Sequence, residues 1–122
     1  ISALLMHIAS IEAVHQVVAF ENRDFNKTEL IKWETPLWLG KKAQAEIKGQ
    51  PLEYYIDELE KTREKTLSLF KTVGDSWLSE EKKWDNGVPH NNYWLWYHVM
   101  EDEIHHRGQI ILLKRLISQN KT

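Results

Sequence analysis

The C-terminal stretch from residue 91 to residue 118 carries an apolar stripe at helical spacing that is interrupted at its centre by two polar residues. At about 3.6 residues per turn, the apolar members of this face are Leu95, Val99, Ile110, Leu113, Leu116 and Ile117. Asp102 and His106 fall in the middle of the same face, where a helix that only packs would carry Leu or Ile. Because burial of an uncompensated carboxylate is costly, this position requires a partner group. A metal ion shared by Asp102 and His106 would meet that requirement.

Two further stretches have the same helical period. The first covers residues 1 to 22, and the residues that share its apolar face are Ala3, Leu4, His7, Ile11, Val14 and Val18. The second begins with Pro51 in its first turn and ends at Gly74, and the residues that share its face are Leu52, Tyr55, Ile56, Leu59, Thr66, Phe70 and Val73. Both patterns predict long amphipathic helices.

The segment between the first two helices has no clear period. Residues 22 to 50 are mixed and polar and include Pro36, so we predict a long connection with one short helix over Lys41 to Lys48. Two tryptophans in this segment, Trp33 and Trp38, are expected to cover the core.

Residues 75 to 91 are rich in turn residues and predict a second connection. Asn91 or Asn92 at its end can cap the third long helix, because Asn is a favoured N-cap residue. No strand is predicted. Three long amphipathic helices without strands indicate an all-α bundle, and residues 1–122 have the length of one domain.

The chain begins at Ile1 without an initiator Met and without a helix-capping signal, so we expect that upstream residues are missing. Three amphipathic helices leave apolar faces uncovered. Either a lost N-terminal helix completes a four-helix bundle, or a second copy of the chain covers these faces.

Composition narrows the function classes. The net charge of −2 provides no basic stripe, which argues against nucleic acid and membrane surfaces as partners. We find no apolar run approaching the ~20 residues of a membrane span and no signal sequence, so we expect a soluble, cytoplasmic protein. Because the chain has no cysteine, any metal must be held by histidine and carboxylate.

The residues that can hold a metal come from two helices. Asp102 and His106 are four residues apart and therefore project from one face, about 6 Å apart along the axis. His7 stands at the centre of its own apolar stripe, and helix packing can bring it opposite this pair. Such a two-histidine, one-carboxylate set leaves positions open to water and suits Zn, Ni, Fe(II) or Mn, among which the sequence does not choose.

Each of these residues also has a structural interpretation. A histidine on an apolar face is more often a hydrogen-bonded core residue than a ligand, and Asp102 can pair with His106 without metal. His98, four residues before Asp102, is a candidate fourth ligand, pocket wall or proton shuttle. His105 is a candidate acid/base group beside the site.

Four other polar residues are assigned outside the site. Glu12 lies too far around its helix from His7 to share a metal with it, and we expect His15 and His90 to be surface or packing residues. Arg63 falls near the apolar face of the second helix. We expect its stem to cover core while its guanidinium stays in water, with recognition of a substrate anion as the alternative.

Two motifs resemble a known family. The segment Glu101-Asp102-Glu103-Ile104-His105-His106-Arg107-Gly108-Gln109-Ile110 is similar to the His-His-Arg-Gly-Gln signature of the DinB-like superfamily, which includes the YfiT-like proteins. The segment Leu4-Leu5-Met6-His7-Ile8-Ala9, followed by Glu12, resembles the ligand motif on the second helix of that superfamily. The order and spacing of the intervening elements agree along essentially the whole chain, and we expect that the missing upstream residues include the superfamily's first helix.

The resemblance implies an up-down-down-up four-helix bundle, often dimeric, and we expect a homodimer. It also implies a divalent metal on one residue of the second helix and two of the fourth, which correspond by position to His7, Asp102 and His106. The superfamily commonly has histidine at the position of Asp102.

Relatives implied by the resemblance include transferases and isomerases that use low-molecular-weight thiols such as mycothiol or bacillithiol. We therefore expect a metal-dependent enzyme acting on a small molecule, with a metal-activated thiol or water as nucleophile and His98 or His105 as proton shuttle. Two alternatives remain open at this point: a metal-dependent hydrolase, and a non-enzymatic dimeric helical module for binding or stress response.

Overall fold

The computed structural model describes residues 1–119, and within these residues the fold is helical apart from one short hairpin. The elements in chain order are α1 (Ser2–Glu21), α2 (Lys27–Trp38), α3 (Lys41–Glu46), α4 (Leu52–Phe70), α5 (Asp75–Ser79), β1 (Glu81–Lys83), β2 (Pro89–Asn91) and α6 (Asn92–Gln119). The three long helices expected from the sequence are α1, α4 and α6. The predicted all-α class is thus confirmed, with the hairpin, α2 and α5 as additions.

Helix α1 is the central element, because α2, α4 and α6 all pack against it. Its enclosure explains why residues away from its apolar stripe, including Ser10, Glu12 and Gln16, are also buried. By length and composition alone, α1 is apolar enough to cross a membrane, contrary to our reading of the sequence. However, 67% of the apolar 18-residue stretch that meets this criterion is buried inside the structure. The apolar composition of α1 therefore matches its place in the core of the bundle.

Helix α2 occupies part of a segment that we expected to be a long connection with one short helix. The short helix is present as α3, whereas the prediction of no helix over the residues of α2 was wrong. A capping box begins the helix: Asn26 Oδ1 accepts from the Glu29 N–H, and Glu29 Oε1 accepts from the Asn26 N–H, both at 2.9 Å. The helix buries only Trp33 and Pro36, which is too little to produce a clear apolar period. Trp33 covers the core as expected, whereas Trp38 is 76% exposed and does not.

The hairpin lies where we predicted turns and no strand. Its three-residue strands pair in antiparallel register, with Lys82 opposite His90, and they are too short to show an alternating pattern in the sequence. Lys82 Nζ donates to the Ala19 carbonyl at 2.7 Å, which fastens the hairpin to the C-terminal end of α1. At the end of β2, Asn91 Oδ1 accepts from the Trp94 N–H at 2.8 Å and caps α6 as expected.

Helix α6 is covered along its first half only. Leu95 and Val99 are buried in a cluster with Ala19 and Trp96. The sequence pattern predicted that the apolar stripe would be buried along its whole length, but its last positions are exposed. These are Leu113, Leu116 and Ile117. With 28 residues against 20 in α1, α6 is longer than the helix on which it packs.

Candidate metal centre

His7 from α1 meets Asp102 and His106 from α6 in the seam between the two helices. The imidazole rings of His7 and His106 are 4.7 Å apart between centroids and nearly perpendicular, at 89°. His106 Nε2 lies 3.2 Å from Asp102 Oδ1, and His7 Nε2 lies 3.9 Å from Asp102 Oδ2. One potential ligand atom from each residue lies within 4.8 Å of the others. The three residues singled out from the sequence therefore converge.

The ring of His7 is oriented by the end of α2. Its Nδ1 lies 2.9 Å from the Pro36 carbonyl oxygen. A carbonyl can only accept, so Nδ1 is protonated, and in the neutral imidazole Nε2 presents a lone pair towards Asp102. Pro36 lies in the last turn of α2, where carbonyl groups have no acceptor role within the helix and are free for other partners. The sequence signal that could have revealed this helix is the spacing of Asn26 and Glu29, which our sequence interpretation did not use.

The ring of His106 is oriented by its own helix. His106 Nδ1 lies 2.6 Å from Gln109 Oε1, three residues later, so this nitrogen is the donor and Nε2 is again free to act as a ligand. Gln109 Nε2 is also 3.5 Å from His105 Nε2. Our sequence interpretation matched Gln109 to the family signature without giving it a role. The structure places it as the group that holds the His106 ring.

The arrangement fits a divalent cation. Two Nε2 lone pairs face a carboxylate, so acceptors oppose acceptors unless a proton or a cation lies between them. Both histidines are buried, and the buried Oδ2 atom of Asp102 has no hydrogen-bond partner. An unpaired buried carboxylate oxygen is costly, and coordination of a cation would satisfy it. Two imidazoles and one carboxylate form a ligand set for Zn, Ni, Fe(II) or Mn with coordination positions left over.

The two predicted acid/base residues lie beside the triad and outside it. His98 is exposed, and its Nδ1 is 3.6 Å from Glu101 Oε1. His105 is also exposed, with its ring centroid 5.2 Å from that of His106. Neither contributes to the cluster of converging ligand atoms in the described part of the chain. Both rings can exchange protons with water from these positions.

His15 and His90 both make packing contacts, in line with the sequence interpretation. His15 Nδ1 donates to the Ile11 carbonyl at 2.7 Å, and the ring lies 6.5 Å from Trp96 and 6.4 Å from His98 between centroids. Burial lowers the pKa of His15, and the bond to Ile11 opposes this shift. The ring of His90 stacks on Trp84 at 3.8 Å.

Arg63 lies in an ion-pair network that the sequence did not indicate, and its side chain is also 47% exposed, so the guanidinium is partly in water as expected. Its Nε and Nη2 donate to Glu12 Oε1 at 3.0 and 2.9 Å, and Nη2 also donates to Glu103 Oε2 at 2.7 Å. These bonds, chiefly those to Glu12, raise the pKa of Arg63 above its ordinary value. Thr66 Oγ1 donates to the second Glu12 oxygen at 2.8 Å. The network connects α1, α4 and α6, and it gives the buried Glu12 carboxylate its partners.

The fold and the converging side chains define a class: helical bundle proteins in which two of the long helices bring together histidine and carboxylate side chains that can hold a metal. Residues 1–117 match the family model of the DinB family, and the chain belongs to that family. The resemblance drawn from the two sequence motifs is therefore confirmed. A search of curated proteins returned no match to the chain.

Proposed function

We propose that this protein is a divalent-metal-dependent enzyme in which His7, Asp102 and His106 hold the ion. The observation that carries the proposal is the pair of buried imidazoles whose free Nε2 atoms face a carboxylate with an unpartnered oxygen. Three protein ligands leave open positions for an exogenous group, as in catalytic centres.

Residues around the triad hold the ligands in place. The Pro36 carbonyl and the Gln109 side chain fix the proton of each imidazole on Nδ1, which keeps both Nε2 atoms available. A divalent ion bound there would lower the pKa of a coordinated thiol or water towards neutrality. We assign to the exposed imidazoles of His98 and His105 the task of carrying the released proton to solvent.

The proposed reaction is transfer or isomerisation of a small molecule with a low-molecular-weight thiol as cosubstrate. The chain has no cysteine, so a nucleophilic sulfur must come from such a cosubstrate. Metal-dependent hydrolysis differs only in the nucleophile, which would be water. Assays of ester, amide and electrophilic substrates, with and without added thiol, separate these reactions. Turnover that requires thiol supports the transferase, and equal turnover without thiol supports the hydrolase.

The metal proposal is tested by elemental analysis of protein purified without chelator and by the melting temperature with added Zn or Ni. We expect bound metal or a clear rise in melting temperature, and the loss of both in Asp102→Asn and His106→Gln. His90→Gln is the matched control, because His90 lies in the hairpin away from the triad. Absence of bound metal together with an unchanged melting temperature would overturn the proposal.

A non-enzymatic module is the second candidate, and one observation favours it. Asp102 lies 3.2 Å from His106 on its own helix and 3.9 Å from His7 on α1. If the imidazoles were protonated, these contacts would be ion pairs, and the pair with His7 would connect α6 to α1. In that case Asp102→Asn should lower the stability of metal-free protein. For a metal centre, the same substitution should abolish metal binding and leave the metal-free fold as stable as before.

We also propose that the protein forms a homodimer. Support comes from the second half of α6, where a series of large apolar side chains is exposed: Ile111, Leu112, Leu113, Leu116 and Ile117. Exposed apolar surface of this kind is typical of interfaces. Light scattering should give twice the monomer mass, and Leu112→Glu with Leu116→Glu should return the protein to monomer. A monomeric unsubstituted protein would contradict this proposal.

A further inference from the structure

We propose that a second site, between the hairpin and the start of α6, binds an organic cation such as an alkylated ammonium group. The site is a cavity of about 580 Å³, a volume typical of small-molecule sites. Its lining includes Glu81 from β1, Trp84 after that strand, His90 from β2 and Trp94 from α6.

Two indole rings form the aromatic wall of the cavity. Trp84 is 38% exposed and Trp94 is 50% exposed, which is unusual for side chains of this size. The two ring centroids are 6.5 Å apart and the ring planes are inclined by 75°. A small group in the cavity can therefore contact two aromatic surfaces that point in different directions.

Both indoles are held in place by imidazole rings. Trp84 lies parallel to His90, with 3.8 Å between ring centroids and an interplanar angle of 10°. Trp94 lies parallel to His98, at 5.6 Å and 3°. Stacking restricts ring rotation, so less conformational entropy is lost when a ligand binds. The wall is preorganised by contacts that the metal triad does not use.

The charge of the residues that line the cavity favours one type of ligand. Glu81 contributes a carboxylate, and the lining residues among positions 1–119 include no lysine or arginine. The ammonium of neighbouring Lys82 is bonded to the Ala19 carbonyl. His90 is one of the residues that line the cavity, and its buried Nδ1 atom has no hydrogen-bond partner. Because indole faces attract cations and Glu81 is the acidic group among the described lining residues, a positively charged group is favoured over an anion.

The site is separate from the candidate metal centre. Trp94 precedes Asp102 by eight residues on α6, about 12 Å along the helix axis. The proposal therefore does not depend on the metal-dependent function. It can be tested in protein whose triad has been altered by Asp102→Asn.

The test is a titration of isotope-labelled protein with choline chloride, followed by the indole N–H resonances of the tryptophans. We expect saturable shifts for Trp84 and Trp94 and none for Trp38, which is exposed on α2. The uncharged isostere of choline, with carbon in place of the quaternary nitrogen, should produce no saturable shift. Asp102→Asn should bind choline as tightly as the unsubstituted protein.

Three variants complete the experiment. Trp94→Leu should weaken choline binding about tenfold, as expected for loss of a desolvated cation–π contact. Glu81→Gln keeps both rings and should weaken binding severalfold. Trp38→Leu is the matched control and should bind normally, with circular dichroism confirming the fold of all three. Equal binding of the uncharged isostere, or unchanged affinity in both Trp94→Leu and Glu81→Gln, would overturn the proposal.

Discussion

The Nδ1 atom of His7 lies 2.9 Å from the carbonyl oxygen of Pro36, so the end of α2 determines which nitrogen of this buried imidazole carries the proton. Pro36 is 29 residues further along the chain, on a helix that supplies none of the three triad side chains. The packing of α2 against α1 therefore bears directly on the candidate metal centre.

The capping box of α2 should influence metal affinity. Asn26→Ala removes the side-chain acceptor for the Glu29 N–H and should lower the free energy of unfolding by about 1 kcal/mol. Because α2 carries Pro36, the substitution should also weaken metal binding severalfold, measured by calorimetric titration. Asn26→Asp keeps an acceptor at the cap and should restore both quantities. Metal affinity that stays the same while α2 loses stability would contradict this coupling.

Gln109 should act as a positioning residue for His106. Gln109→Leu removes the acceptor of the His106 Nδ1–H and should reduce metal affinity about 10- to 100-fold, the usual effect of losing such a partner. Gln109→Glu retains an acceptor of similar length and should keep most of the affinity. If both variants bind metal as tightly as the unsubstituted protein, the contact has no positioning role.

The ion pair between Glu12 and Arg63 should contribute to stability and not to metal binding. Glu12 is 4% exposed, so Arg63→Met leaves a buried carboxylate with one fewer partner. Since the Arg63 side chain is 47% exposed, we expect a loss of about 2 kcal/mol in chemical denaturation, less than for a fully buried pair. The double variant Glu12→Gln, Arg63→Met should lose less than the sum of the single variants. Metal affinity should be unchanged in all three.

The stability of metal-free protein should depend on pH through His15. Burial lowers its pKa below the ordinary value of 6.5, so the unfolded state binds more protons between the folded and the unfolded pKa. The stabilising contribution of neutral His15 is therefore present above pH 6.5 and is lost as the pH falls below it. Neighbouring His98 adds to the shift, whereas Asp102 opposes it. Denaturation of His15→Gln and of the unsubstituted protein should show a difference in stability that changes across this range. A difference independent of pH would refute the assignment.

Helical periodicity was sufficient to predict the long helices and the three side chains that the structure brings together. Asp102 and His106 are separated by four residues, so any α-helix through them places both on one face. His7 was found in the same way, as a polar residue at the centre of an apolar stripe. These inferences are local, because they depend on chain geometry within a few helical turns.

Contacts between segments that are distant in the chain could not be predicted from the sequence patterns. Glu12 was assigned to an outer face because periodicity does not indicate that α1 is enclosed on several sides, and its pairing with Arg63 spans 51 residues. The Pro36 carbonyl was missed because a backbone acceptor leaves no side-chain signature. The sequence by itself determined which residues could act as ligands, since their spacing is fixed by helix geometry. Only the tertiary structure decided that α1 and α6 bring them together and that α2 orients His7, because those distances depend on how whole helices pack.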